Sequence, residues 1–176
     1  MSMRRQKFLL FRVYRFQDNT AYAELYDVYF QKIRRYIFFK VPRAEDADEI
    51  TAEVFLRGWE YATSSRVENP GALFYRIAQN LVADFYRRRK VDTSIDLIEE
   101  VVQQGRGLAE QIAQNEEERA LIQSLQKIKE EYRDVLVMRF LDEMSVKEIA
   151  VILEKTPNNI RVTLHRAKKA LRELYK

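Results

Sequence analysis

Apolar positions recur at spacings of three and four along most of the chain, which predicts helices rather than strands. Within residues 20–41, Leu25, Val28, Tyr29, Ile33 and Ile37 share one face; Asp18, Asn19 and Thr20 are cap candidates ahead of it, and Pro42 ends it. Residues 44–62 predict a second helix, acidic in its first turns (Glu45, Asp46, Asp48, Glu49), as the positive end of the helix dipole favours. Residues 63–69 read as a polar loop closed by Asn69, Pro70 and Gly71, a strong turn signal. A third helix follows to about residue 90, with Leu73, Phe74, Ile77, Ala78, Leu81 and Phe85 as its buried stripe. Residues 1–16 set Arg4, Arg5 and Lys7 before Phe8, Leu9, Leu10 and Phe11, then interrupt with Arg12 and Arg15. No small-residue cleavage site follows, so this stretch reads as a packed helix, with a membrane-surface helix as the alternative.

The last third carries the sharpest pattern. Ser145 and Glu148 form a capping box ahead of an apolar face made by Ile149, Ala150, Ile152 and Leu153. After a short turn at Glu154 and Lys155, Thr156 and Pro157 supply a cap and a first-turn proline for a final helix. Ile160, Leu164, Ala167, Leu171 and Leu174 share its buried face. Asn158, Asn159, Arg161, Thr163, His165, Arg166 and Lys169 stand on or beside the opposite face. Amide and guanidinium groups pair bidentately with base edges and phosphates, so this helix-turn-helix pattern points to DNA.

Composition narrows the classes. The 176 residues are 47% hydrophobic and 33% charged, with four Gly and three Pro, which suits a soluble all-α protein. There is no Cys and one His, so thiolate metal sites, disulfides and a Ser/His/Asp triad have no basis. No phosphate-binding glycine loop is present and nothing resembles a catalytic constellation; neither catalytic residues, nor a cofactor, nor a metal is expected. The longest uncharged run is far below the ~20 residues a bilayer demands, so no membrane insertion is expected. The net charge of +4 is unevenly spread. Basic clusters at residues 87–90 and 155–176 flank an acidic stretch between residues 91 and 118. That map suggests two nucleic-acid-facing modules: a domain at 1–91, a flexible acidic linker at 92–115 with some helix near 97–102, and a helix-turn-helix domain at 116–176.

Three stretches together resemble one family. Residues 130–140 (EEYRDVLVMRF), 144–150 (MSVKEIA) and 164–171 (LHRAKKAL) resemble the promoter-reading domain of extracytoplasmic-function sigma factors, the small members of the bacterial sigma-seventy class. Residues 47–59 (ADEITAEVFLRGW) look like that family's core-polymerase-binding helix. Residues 69–81 (NPGALFYRIAQNL), with Asp84 and the arginines at 87–89, look like its minus-ten helix. The resemblance covers about residues 9–176, apart from the linker. Departures are Ala52 for a frequent glutamine, Glu154 for a turn glycine and Lys129 for a proline. Val162 and Thr163 also stand where small polar and basic residues are usual, so a minus-thirty-five sequence preference is not carried over.

The resemblance implies a cytoplasmic subunit that binds core RNA polymerase and directs promoter recognition, melting and transcription initiation. It assigns Asp48, Glu49, Ala52, Glu53 and Leu56 to polymerase binding. It assigns Asn69, Asn80, Asp84, Tyr86, Arg87 and Arg88 to minus-ten DNA, one unstacked base being captured by the loop at 63–69. In the last helix, Asn158, Asn159, Arg161 and Val162 face base edges of the minus-thirty-five element, His165, Arg166 and Lys169 mainly face phosphates, and Thr163 is a further DNA-binding residue. An anti-sigma factor is a common further partner in that family, and this sequence carries no mark of one. Beside each role stands a plainer one. The acids at 45–49 suit a solvated first turn, Tyr75 and Tyr86 suit packing, and a basic helix end is stabilising by itself. A dimeric helix-turn-helix regulator and a sigma-mimicking adaptor are the competing functions.

Overall fold

The computed structural model describes residues 1–92 and 116–174. Every regular element among them is helical. The expected linker, with its helical stretch near 97–102, lies outside the described residues apart from Asp92. The described residues divide into two compact units, one of Met1–Ile37 with Glu45–Asp92, the other of Phe38–Ala44 with the C-terminal helices.

In the first unit, α1 (Met3–Phe16) starts at Ser2, whose hydroxyl accepts the Arg5 amide at 3.4 Å, and stops at Gln17 with a φ of 49°. Asp18 then caps α2 (Asn19–Phe38), accepting the Ala21 amide at 3.0 Å. That amide, together with the Arg12 guanidinium 2.5 Å away, holds the Asp18 carboxyl below its ordinary range. Leu9, Leu10 and Val13 of α1 bury against Ala21, Leu25 and Ala62. Sequence periodicity carried α2 to about residue 41, but the helix ends at Phe38. Pro42 lacks an amide hydrogen and disfavours helical geometry in the residue before it, so the chain leaves the helix early.

α3 (Ala44–Ser64) and α4 (Pro70–Asp92) close the unit around an aromatic cluster. The ring of Phe74 lies 4.9 Å from Phe55, 5.4 Å from Tyr29 and 6.2 Å from Tyr22 by centroids. The Tyr22 hydroxyl donates to the Phe55 carbonyl at 2.5 Å, and burial pushes its pKa well above the ordinary tyrosine range. Gly58 makes this possible, because a Cβ there would stand 2.6 Å from Phe74 Cε1 and 2.9 Å from the Tyr22 hydroxyl. Tyr75, left open between packing and contact in the sequence, is fully buried in the core.

The second unit contains α5 (Glu116–Lys127), α6 (Glu130–Leu136), α7 (Val146–Ile152) and α8 (Pro157–Leu174). α6 does not simply end but widens into a π-helical turn at Val137–Leu141, where the Asp142 amide reaches the Val137 carbonyl at 3.0 Å. Within this unit Lys40, 5% exposed, pairs with Glu130 and, at 3.0 Å, with Asp134. The Lys40 ammonium draws the Glu130 carboxyl down, whereas burial pushes Asp134 up. α8 packs on α5, α6 and α7. Its buried face is Ile160, Leu164 and Ala167, while Leu174, expected on that face, is exposed as the helix runs past its neighbours.

The capping box forms as its spacing predicts, with the Glu148 amide on Ser145 Oγ at 3.2 Å and the Ser145 amide on Glu148 Oε2 at 2.8 Å. α7 leaves through a Schellman turn in which the Lys155 amide meets the Ala150 carbonyl at 2.9 Å. Its left-handed residue is Glu154, at a φ of 54°. Glutamate therefore holds a conformation that glycine adopts without steric cost.

Two stability outcomes follow, both read by denaturant unfolding. Gly58→Ala overpacks the Phe74–Tyr22 contact and is expected to lower stability by about 1–3 kcal/mol. Glu154→Gly keeps the turn, while Glu154→Val, β-branched in the left-handed region, is expected to fall below it by about 1–2 kcal/mol; equal stabilities for the two would remove the strain argument.

Candidate nucleic-acid interface

On α3 the buried positions Ala47, Thr51, Val54, Phe55, Gly58 and Ala62 face the core, which turns Asp48, Glu49, Ala52, Glu53 and Leu56 outward together. Leu56 is 55% exposed, a large apolar side chain amid carboxylates. Asp48 accepts from Arg34 at 2.5 Å and Glu53 from Arg57 at 2.6 Å, four residues on. Both pairs are partly solvated, and such contacts contribute roughly 0–1 kcal/mol. A partner's cation can replace them at little cost.

Asn69 sits at the start of α4, where its Oδ1 accepts the Ala72 amide at 3.0 Å. Its side-chain oxygen is thus engaged as a helix cap, and Pro70 follows at the first helical position. Asn80, Arg87 and Arg88 are exposed along α4, with Asp84 and Tyr86 half-buried. Asp84 pairs with Arg87 at 2.9 Å, and the Tyr86 ring meets Phe85 edge-on at 5.3 Å. Arg89, which carried no separate expectation, lies over the Phe85 ring at 4.5 Å and 3.8 Å from the buried Asp46 carboxylate. The basic end of α4 is therefore split: Arg89 folds back, while Arg87 and Arg88 point out.

α8 begins with Thr156 accepting the Asn159 amide at 3.2 Å, the cap that its sequence predicts. Asn158, Asn159, Arg161, Val162, His165, Arg166 and Lys169 are all exposed. Thr163 departs from the expected exposed, DNA-facing position. It is 6% exposed, and its hydroxyl donates to Asn159 Oδ1 at 3.2 Å. The physical reason is periodicity: residue 163 falls beside Ile160, Leu164 and Ala167 on the packed side, so it orients Asn159 instead of reaching outward. Lys168, one turn along, places its ammonium 4.8 Å from the exposed Phe140 ring of the π-helical segment. That aromatic was not singled out in the sequence, since only the widened turn brings it to the surface.

Among the described residues, no group of three or more His, Cys, Asp or Glu side chains could hold a metal ion, and no helix is long and apolar enough to cross a membrane. The surfaces offer amides, guanidinium groups, ammonium groups and carboxylates, which is binding chemistry.

Comparison with known proteins finds two sigma-factor regions along the chain. The sigma-70 region 2 family matches residues 25–91, and the sigma-70 region 4 family matches residues 118–171. The chain is 27% identical over 167 residues to the ECF RNA polymerase sigma factor SigW of Bacillus subtilis (strain 168), covering 89% of each. Two solved structures share its fold. CnrH, in complex with the cytosolic domain of CnrY, aligns with a TM-score of 0.67 at 17% identity, over 97% of this chain and 96% of that one. The sigma factor RpoE, in complex with the anti-sigma factor NepR from Bartonella quintana, aligns with a TM-score of 0.61 at 15% identity, over 86% of this chain and 94% of that one. The chain belongs to the extracytoplasmic-function sigma factors of the sigma-70 class, and directs RNA polymerase in promoter transcription initiation.

Proposed function

We propose that this chain acts by binding alone, in the cytoplasm, as a specificity subunit with three division-of-labour surfaces. The outer face of α3 (Asp48, Glu49, Ala52, Glu53, Leu56) docks on a basic surface of core polymerase, carboxylates steering the encounter and Leu56 anchoring it. The loop at 63–69 and the outer side of α4 hold the opened minus-ten strand. There Asn80, Asp84, Tyr86, Arg87 and Arg88 offer polar, stacking and phosphate contacts, and Asn69 fixes the loop's exit while its amide nitrogen stays available to a base. The α8 N-terminal half reads the minus-thirty-five groove with Asn158, Asn159, Arg161 and Val162, and His165, Arg166 and Lys169 meet phosphates.

The observation that carries this reading is the α8 surface. A capped helix N-terminus presents two amides and a guanidinium to solvent, while the preceding helix and its Schellman turn hold it at a fixed angle. Such an arrangement suits bidentate contact with base edges. Binding energy to unpaired DNA offsets strand separation, so no catalytic group is needed. The solved sigma factor RpoE in complex with the anti-sigma factor NepR supports an anti-sigma factor as a further partner of this chain.

The test mixes the protein with core polymerase and follows transcription from duplex and pre-melted promoters. Activity that needs core polymerase supports the reading; duplex binding by a dimer without polymerase overturns it. Arg161→Ala is expected to reduce initiation about tenfold on promoters that need the upstream element, leaving polymerase association unchanged. Lys169→Ala should instead weaken binding to all sequences and flatten the salt dependence by about one counterion. Glu49→Arg places like charge against a basic partner and is expected to raise the Kd for core polymerase tenfold or more, measured by fluorescence anisotropy.

A further inference from the structure

α1 has no role in the proposed function, and its chemistry is unusual. Among its 14 residues are five cations (Arg4, Arg5, Lys7, Arg12 and Arg15) and no acid. Phe8, Phe11 and Tyr14 are 59%, 56% and 43% exposed, although the opposite face is locked into the core by Leu9, Leu10 and Val13. Arg5 and Arg12 are engaged by Glu24 and Asp18. Lys7, Arg15 and Arg66 make no ion pair among the described residues.

These groups surround a cavity of about 290 Å³, lined on one side by Lys7, Phe11, Tyr14 and Arg15 and on the other by Arg66 and Glu68. That volume is close to the low end of the ~300–1,000 Å³ usual for small-ligand sites, room for a planar ring. The second wall belongs to the connection that runs into Asn69 and α4.

We propose that the outer face of α1, with the cavity it shares with residues 66–68, is a binding surface for single-stranded DNA that extends the strand track of α4. The inference rests on the reading of the 63–69 loop and α4 as the opened-strand surface. Around the exposed arc of α1, at about 100° per residue, the order is Tyr14, Lys7, Phe11, Arg4, Arg15, Phe8, Arg12, Arg5 and Phe16, so rings and cations are interspersed and not segregated. A helix lying on a lipid surface gathers its rings on one side and its cations on the other. Interspersed rings and cations suit a strand, whose bases stack on ring faces while phosphates between them meet cations. Glu68 supplies an acceptor for a base amino group inside the cavity. The unpaired cations make the site complementary to a polyanion, and its position beside the loop gives a continuous path.

The experiment uses the complex with core polymerase and two fork-shaped promoter DNAs. In one, the unpaired strand stops at the minus-ten edge; in the other it runs on by about six nucleotides, within the ~4–16 typical of single-strand sites. The wild-type complex is expected to bind the extended fork about tenfold more tightly than the short one. Phe11→Ala combined with Tyr14→Ala should abolish that gain and leave the short fork unchanged, and Phe11→Trp should retain it. Lys7→Gln should lower the salt slope for the extended fork alone by about 0.7. Both rings lie outside the core, and an unchanged melting temperature confirms that folding is intact. A gain that survives the double substitution overturns the inference, as does binding to anionic phosphatidylserine vesicles that is lost in the variant while the fork gain persists. Failure of the short fork itself to bind better than duplex instead overturns the underlying reading of α4.

Discussion

The close approach of Phe74 and Tyr22 to the Cα of Gly58 is the contact on which the rest of the first unit depends. Three helices meet there: Tyr22 comes from α2, Gly58 from α3 and Phe74 from α4. Without a side chain at residue 58, Phe74 and the Tyr22 hydroxyl approach the α3 backbone closely, and that hydroxyl finds the Phe55 carbonyl as its partner. A buried phenol without that acceptor would cost about 1–3 kcal/mol, so hydrogen bond and packing enforce one another. Because this junction fixes the rotation of α3 and α4 about their axes, it also decides which residues point away from the core. Asp48, Glu49 and Glu53 of α3 and Arg87 and Arg88 of α4 are outward because Val54, Phe55, Phe74 and Tyr75 are inward.

The same logic orders the second unit, with different means. There the rotation of α8 is set by Ile160, Leu164 and Ala167, and its starting point by the Thr156 cap and the left-handed Glu154. The αL conformation at a non-glycine residue costs on the order of 1 kcal/mol, which the Schellman hydrogen bonds and the α7–α8 packing offset. Lys40 gives this unit a deeply buried ammonium with the two carboxylate partners named above. Removing one member of such a group is costly because it strands the others, whereas the solvated pairs on α3 contribute little. Charge is thus used in two ways: buried and multiply paired inside, loosely paired and exchangeable on the outer face of α3.

Much of this was legible in the chain itself, for a definite reason. Caps, prolines and three-four periodicity act within a turn or two, so Asp18, Ser145, Thr156 and Pro157 announce helix starts that the folded protein uses. The alternation of α8 between apolar and amide or basic residues was enough to indicate a DNA-reading helix. What local pattern could not anticipate was any feature whose cause lies elsewhere in the chain. The π-helical turn at Val137–Leu141 has no signature in its residues, and its Phe140 ring lies 4.8 Å from the Lys168 ammonium.

The primary structure by itself determined the helices, their order, their apolar faces and the chemistry of the final recognition helix, because those depend on neighbours no more than four residues away. Tertiary structure decided the rest. It drew Arg89 back to the buried Asp46 while leaving Arg87 and Arg88 outside, and set α1's rings across a cavity from residues 66–68. Each of those outcomes turns on which distant surface a side chain meets after packing, and burial energy, being blind to sequence separation, is what selects that surface.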